Sequence, residues 1–242
     1  MGKTIDVNAL IKECEGYITE LKTHCKDSMF SRQYSWRAKH PFKVMSFVNA
    51  MTWRMYDISS ASLMLMKNNA IIPSLCLVRA CWENMVATYE LKELVKGCCE
   101  QKMIPIDIDE TLMRILYSNR YDKDNRYVGG EHYENFKDYK AKNILTLVQK
   151  LEKEYPQTKD FYSTICEFVH PNGDGVGGSY SQLDESTHTV LFGPQFGRDS
   201  QLFPAFITTL SCSIDLYLRF VESIDGNIDE FSRLCEAALN VQ

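Results

Sequence analysis

Glycine and proline are scarce in this chain. Twelve glycines and seven prolines among 242 residues fall below the roughly 12% usual for globular proteins, which excludes collagen-like and loop-dominated chains and points toward helices. Charge of one sign is not in large excess: 27 basic and 32 acidic side chains leave a formal net charge of −5. Hydrophobic residues at 45% and charged residues at 24% exclude wholesale disorder. No apolar stretch follows the N-terminal MGKTID, so no secretory signal is expected. Asp6 stands where a myristoylation signal needs Ser or Thr. The longest uncharged stretch, Ser200 to Ile214, is shorter than the roughly 20 residues of a membrane span. A cytoplasmic location with no membrane partner is the expectation.

The nine cysteines are odd in number and contain no C-x-x-C pair, which reads as reduced thiols rather than a disulfide framework. Cys98 and Cys99 are adjacent, but neighbouring side chains on a helix point in different directions. His24, His40, His132 and His188 lack partners at zinc spacing, so neither a metal nor a cofactor is expected.

What the chain does contain is helical periodicity. Val7, Leu10, Cys14, Tyr17, Leu21 and Cys25 recur every three or four residues, as do Val44, Val48, Met51, Met55, Ile58, Ser62 and Leu65 beyond Pro41. Ser74 to Lys96 forms the most apolar segment, with Pro73 at its start and Gly97 placed to cap its end. Shorter helices are expected over 107–117, from Tyr139 to Leu151, and from Thr158 to Val169, where His170-Pro171 ends the helix because a residue before proline avoids α geometry. Residues 118–138 read as a loop. Half of all the glycines fall between Gly173 and Gly197, and alternation over 179–183 and 187–192 predicts a short hairpin. Phe203, Ile207, Leu210, Ile214, Tyr217, Val221 and Ile224 make the clearest helical stripe, and a separate final helix is expected over 228–239. Gly226 would close the first of these, and Asn227 with Glu230 would cap the second, which explains Asp225, Asn227, Asp229 and Glu236 better than a calcium loop does.

These stripes need one another for burial. The expected fold is therefore all-α: one helical bundle of about seven to eight helices, a single domain over 1–242 with its core in 42–224. Residues 171–200 form a glycine-rich loop and a short β-hairpin insertion near 179–192. Long apolar helices without polar outer faces make a homodimer the expected assembly.

Charges inside the most apolar helix need a reason. Arg79 and Glu83 lie four apart on one face, with Glu90 two turns on, and buried charges must pair or face a polar cavity. A second cluster is Glu167-Phe168-Val169-His170-Pro171-Asn172. The segment following it, Gly173 to Gly178, satisfies G-x-G-x-x-G but comes after a helix and leads to a hairpin, the reverse of a dinucleotide-binding turn.

The helix Leu77-Val78-Arg79-Ala80-Cys81-Trp82-Glu83 (R-x-x-x-E), followed much later by the E-x-V-H-P-N segment at 167–172, resembles an uncharacterised bacterial all-helical family of the HEPN-like kind. The resemblance runs from about Pro73 to Gly178. It implies a helical, often dimeric protein that binds or cleaves RNA in a bacterial defence or toxin–antitoxin setting, with Arg79, Glu83 and His170 as the site and Glu167 or Glu83 orienting the imidazole or guanidinium. Catalytic members resemble metal-independent ribonucleases with an Arg four to six residues before the His. Here Thr164, Ile165 and Cys166 fill those positions, so Arg79 would have to supply the guanidinium from its own helix. Such a pair suits the reaction, since an imidazole near neutral pKa accepts the 2′-hydroxyl proton and an Arg fork holds phosphate oxygens.

A third feature is local. Ser28 to Tyr56 contains no acid but carries Arg32, Arg37, Lys39 and Lys43, with His40 and the aromatics Phe30, Tyr34, Trp36 and Phe42 among them. Cations interleaved with rings suit phosphate contacts and base stacking, which makes Arg32, Trp36, Arg37, Lys39 and His40 candidate nucleic-acid contacts. Two other classes remain open: a non-catalytic interaction or sensing module that takes a protein partner, or a small anion in a pocket near Asn172 behind the glycine-rich loop, and hydrolysis by Cys166 beside His170, for which no oxyanion donor is identifiable.

Overall fold

The structure, a computed structural model, describes residues 6–117, 143–197 and 200–239. It is an all-α bundle with a small antiparallel hairpin. Four long helices form its frame: α1 (Val7–His24), α2 (His40–Lys67), α3 (Ile71–Gln101) and α7 (Phe203–Leu239). The shorter α4 (Ile108–Tyr117), α5 (Ile144–Glu152) and α6 (Thr158–Val169) pack around α3, and α6 leads through a π-helical turn, Gly173–Gly178, into β1 (Ser181–Asp184) and β2 (Thr189–Phe192). The expected loop at 118–138 and the start of the helix expected from Tyr139 lie outside the described residues.

Cross-links between helices show their directions. The Lys67–Glu15 ion pair (2.6 Å) and the Lys22 ammonium over the Trp53 ring (3.7 Å) run α1 and α2 antiparallel. The Asn84 amide donating to the Met51 carbonyl and the paired Ser62 and Ser74 hydroxyls run α2 and α3 antiparallel. Trp82 Nε1 donates to the Thr209 carbonyl at 3.2 Å, and the Tyr89 and Phe220 rings meet at 5.3 Å, so α3 and α7 run in the same direction. α3 is the central element because its apolar residues point all round: Leu75, Val78, Cys81, Trp82, Met85, Val86, Leu91 and Val95 are buried against α2, α6 and α7. The stripe expected from Phe203 to Ile224 is the buried face of α7.

Three boundaries differ from expectation, each because tertiary packing outweighs a local signal. Gly97 does not end α3; the helix runs on to Gln101, with Lys102 in the left-handed cap position at φ 51°. Cys98 is buried beyond the glycine, and Cys99 Sγ contacts the Asn227 carbonyl. Gly226 likewise closes nothing: α7 is continuous to Leu239, Asn227 donates back to the Ser223 carbonyl, and Phe231 and Cys235 are buried. The core accordingly reaches past 42–224 at both ends, taking in Ile11, Cys14, Ile18 and Leu21 of α1 as well as Phe231. A glycine inside a helix costs about 1 kcal/mol relative to alanine, and nothing lies within 4 Å of a Cβ placed at either position. Gly97→Ala and Gly226→Ala are therefore each expected to stabilise the fold by about 0.5–1 kcal/mol in urea denaturation; a loss of stability in either would contradict the uninterrupted helices.

Among the described residues, no helix is long and apolar enough to cross a membrane. The long apolar helices expected to need a partner chain are covered within one chain. Several large apolar side chains remain exposed, among them Leu183, Leu191 and Phe192 on the hairpin, the last 84% exposed.

Candidate functional site

Arg79 and Glu83 are one helical turn apart on α3, and the guanidinium Nε donates to Glu83 Oε1 at 3.0 Å. The same carboxylate oxygen accepts from the Tyr162 hydroxyl of α6 at 3.1 Å, and the guanidinium carbon lies 5.9 Å from the centre of the Tyr162 ring. Both charged side chains are part-exposed, 28% for Arg79 and 39% for Glu83. The pair therefore sits at a seam between α3 and α6, not inside the core. Burial works against the Arg79 charge, but Tyr162 and Glu83 outweigh it and hold the guanidinium above its ordinary pKa. Burial and the facing Glu83 carboxylate push the Tyr162 phenol up to about 12, which keeps it a neutral donor. Glu83 occupies one of the five guanidinium N–H groups, and the fork keeps others for an anion.

Tyr162 and Cys166, four residues apart, share one stripe of α6, and His170 stands at the helix exit eight residues beyond Tyr162, about 12 Å further along at 1.5 Å per residue. Tyr162 was missed as a site residue in reading the sequence; the four-residue spacing back from His170 is the signal that would have found it. Cys166 lies within electrostatic reach of Arg79, yet burial is the larger influence and its thiol pKa is raised, which argues against the Cys nucleophile. His170 ends the helix as expected, with φ −77° and ψ 148°, its N–H still donating to the Cys166 carbonyl at 3.0 Å. Its imidazole is exposed and has no hydrogen-bond partner among the described residues.

Neither acid near His170 orients its ring. Glu167 Oε2 accepts instead from Asn172 Nδ2 at 2.7 Å, and Asn172 Oδ1 accepts from the Gly175 N–H at 2.8 Å. Asn172, expected to line a pocket, is thus the cap of the π-helical turn. Gly175 packs so closely that a Cβ there would sit 2.0 Å from the His170 carbonyl oxygen and 2.9 Å from that of Phe168. The glycine-rich segment is a fold-back against the helix exit, built on one glycine that has no room for a side chain.

Glu90 does not extend the Arg79–Glu83 seam. It pairs with Lys150 at 3.1 Å, while the nearby Lys92, 7% exposed, reaches Glu93 at 3.0 Å and Glu154 at 3.1 Å. Burial alone would raise the Glu154 carboxyl, but Lys92 and the Tyr89 hydroxyl hold it below the usual range. This network ties α3 to α5 and the segment after it. Of the basic stretch, His40 and Lys43 both pair with Asp109 of α4, at 3.0 and 3.1 Å. Only 17% exposed, His40 is a helix-to-helix tie and not an available nucleic-acid contact. Arg32, Trp36, Arg37 and Lys39 are exposed as expected.

A cavity of about 520 Å³ opens between α1 and α2, lined by Ile18, Leu63 and Met64 and by the Glu15–Lys67 pair. No group of three or more potential metal ligands occurs among the described residues. No family model matches the chain, and comparison with curated proteins and with solved structures finds no match.

Proposed function

We propose that this chain is a HEPN-like protein that acts on RNA, cleaving it without a metal at the seam between α3 and α6. The observation that supports this reading is the guanidinium of Arg79, held by Glu83 and the Tyr162 ring of α6, the helix at whose exit the exposed His170 stands. In the proposed reaction the His170 imidazole takes the proton of a ribose 2′-hydroxyl, and that oxygen attacks the adjacent phosphorus. The 5′-oxygen leaves and takes a proton from water, giving a 2′,3′-cyclic phosphate and a 5′-hydroxyl, and the imidazolium returns its proton to solvent. Arg79 supplies N–H groups to the phosphate oxygens as their charge grows, and Glu83 fixes the direction of the fork.

Purified protein incubated with mixed RNA and a chelator is expected to release fragments ending in cyclic phosphate. His170→Ala should slow release about 100-fold or more, the usual cost of losing a general base. RNA left intact by the wild-type chain, or equal rates in the variant, would overturn the reading. The exposed imidazole with no orienting partner favours a second reading: a non-catalytic module that holds an anionic ligand on Arg79 alone. Inorganic phosphate protection of the wild-type chain but not of Arg79→Ala against thermal unfolding, without RNA cleavage, would select it.

We further propose that the chain pairs with a second copy through β2. All four of its residues, Thr189, Val190, Leu191 and Phe192, are exposed, none is charged, and among the described residues no strand pairs with its outer edge. Set antiparallel on itself, Val190 meets Leu191 and no like charges oppose. Light scattering should give a dimer for the wild-type chain and a monomer for Phe192→Lys; a monomeric wild type removes the proposal.

A further inference from the structure

The acid-free stretch singled out in the sequence divides into two parts in three dimensions. Its inner half is spent within the fold: His40 and Lys43 hold Asp109, and the Trp53 ring lies under Lys22. Its outer half, the connection between α1 and α2, is not. Phe30 is 64% exposed and Trp36 75%, and the Arg32 guanidinium lies over the Trp36 ring, 5.3 Å from its centre. Exposed tryptophan forfeits the burial that normally stabilises so large a ring.

This connection is not a slack loop. Its start is clamped to α2, where Lys26 N–H donates to Asn49 Oδ1 at 2.9 Å and its carbonyl accepts from Asn49 Nδ2 and Trp53 Nε1. Its far side is clamped to α7. Glu236 Oε1 accepts from the Ser35 hydroxyl at 2.6 Å and from the Trp36 N–H at 2.9 Å, and the Ser35 hydroxyl in turn accepts from the Ala38 N–H. A 3-10 turn over Ser31–Gln33 spans the gap between the clamps. The backbone beneath Trp36 is thus held while its ring faces solvent. A ring presented this way costs a ligand little ordering entropy.

We propose that Phe30, Arg32 and Trp36, with Arg37 and Lys39 beside them, form a stacking platform for single-stranded nucleic acid. Unpaired bases have open faces to lay on Trp36 and Phe30, and the cations between them match a phosphate backbone. A duplex hides those faces, and a three-residue turn is too small to fill a groove. A protein partner fits less well, because charged residues, lysine among them, are depleted from the core of a protein interface, where an anchoring tryptophan sits. Trp36 is flanked instead by Arg32, Gln33, Arg37 and Lys39, all exposed. The platform lies at the end of the bundle where α1 and α7 finish. Arg79 sits 22 residues before the end of α3, on the order of 30 Å from that end at 1.5 Å per residue, and α3 runs in the same direction as α7. The proposal goes beyond the RNA-cleaving reading and does not depend on chemistry at His170.

The test is a titration of the full chain with a 12-nucleotide single-stranded thymidine DNA, followed by tryptophan fluorescence and filter retention at two salt concentrations. DNA has no 2′-hydroxyl, so cleavage cannot consume this probe. Parallel arms use a 12-nucleotide uridine RNA, a 12-base-pair duplex and polyglutamate. Both single strands are expected to quench fluorescence and to bind more weakly at higher salt, with the duplex at least tenfold weaker and polyglutamate not retained. Trp36→Ala and Arg32→Glu should each weaken single-strand binding about tenfold without lowering the melting temperature, since both side chains are exposed. Failure of both single strands to bind, equal binding of the duplex or of polyglutamate, or unaltered affinity in Trp36→Ala would each overturn the proposal. Platform binding without RNA cleavage overturns only the catalytic reading, and cleavage without thymidine binding overturns only this one.

Discussion

Gly175→Ala is expected to destabilise the fold by about 1–3 kcal/mol, the usual cost of forcing a methyl group into filled space, and to reduce the proposed RNA cleavage by about 100-fold. The new Cβ would meet the His170 carbonyl oxygen at 2.0 Å and the Phe168 carbonyl oxygen at 2.9 Å. Both obstacles are backbone, so no rotamer change relieves them. The π-helical turn would have to move away from the exit of α6, breaking the Asn172 bond to the Gly175 N–H and shifting His170 with it. A displacement of about 1 Å at a reacting group is enough for a rate loss of that size. Gly177→Ala is the control: nothing lies within 4 Å of a Cβ there, and stability and cleavage should both stay near wild type. Urea denaturation and the cyclic-phosphate assay read the two effects. Equal stability in the two variants would mean that the fold-back is not the close approach described.

The second large effect is expected at Trp82. It is 1% exposed, its indole N–H donates to the Thr209 carbonyl of α7, and its ring lies 6.1 Å from that of Phe161 on α6. One side chain therefore joins the central helix to two others. Trp82→Ala should cost about 3–5 kcal/mol through lost burial and the cavity left behind, a large part of a typical total of about 5–15 kcal/mol. Trp82→Phe keeps most of the ring and loses the hydrogen bond, so its loss should be smaller, about 1–2 kcal/mol. Because Glu83 is the next residue and meets Tyr162 of α6, loosening this packing should also lower the rate of the proposed cleavage in whatever protein stays folded. A loss below about 1 kcal/mol in Trp82→Ala would contradict the central position of α3.

Much of the fold was legible in the residues themselves. The scarcity of glycine and proline announced helices, and α6 begins and ends where the pattern places it, from Thr158 to the turn before His170-Pro171. Cap signals misled at Gly97 and Gly226, since a glycine's local preference of about 1 kcal/mol is outweighed when Cys98 or Phe231 is buried further along the same helix. The Arg79–Glu83 pairing was equally legible, because four-residue spacing on a helix brings side chains together by geometry alone.

Partners distant in sequence were not. Nothing local requires Tyr162 to meet Glu83, Glu167 to turn toward Asn172, or Asp109 to take up His40, because each depends on how whole helices pack. The glycine shortage and its concentration after His170 are properties of the sequence by itself, as are the helical stripes and the acid-free stretch. Only the tertiary structure decided that a single glycine of that cluster, Gly175, has no space for a side chain. It also decided that the basic stretch is half spent on internal ion pairs and half displayed on a clamped connection. The physical reason is range: periodicity and turn chemistry act over a few residues, while burial, ion pairing and steric exclusion depend on which distant segments the packed core brings together.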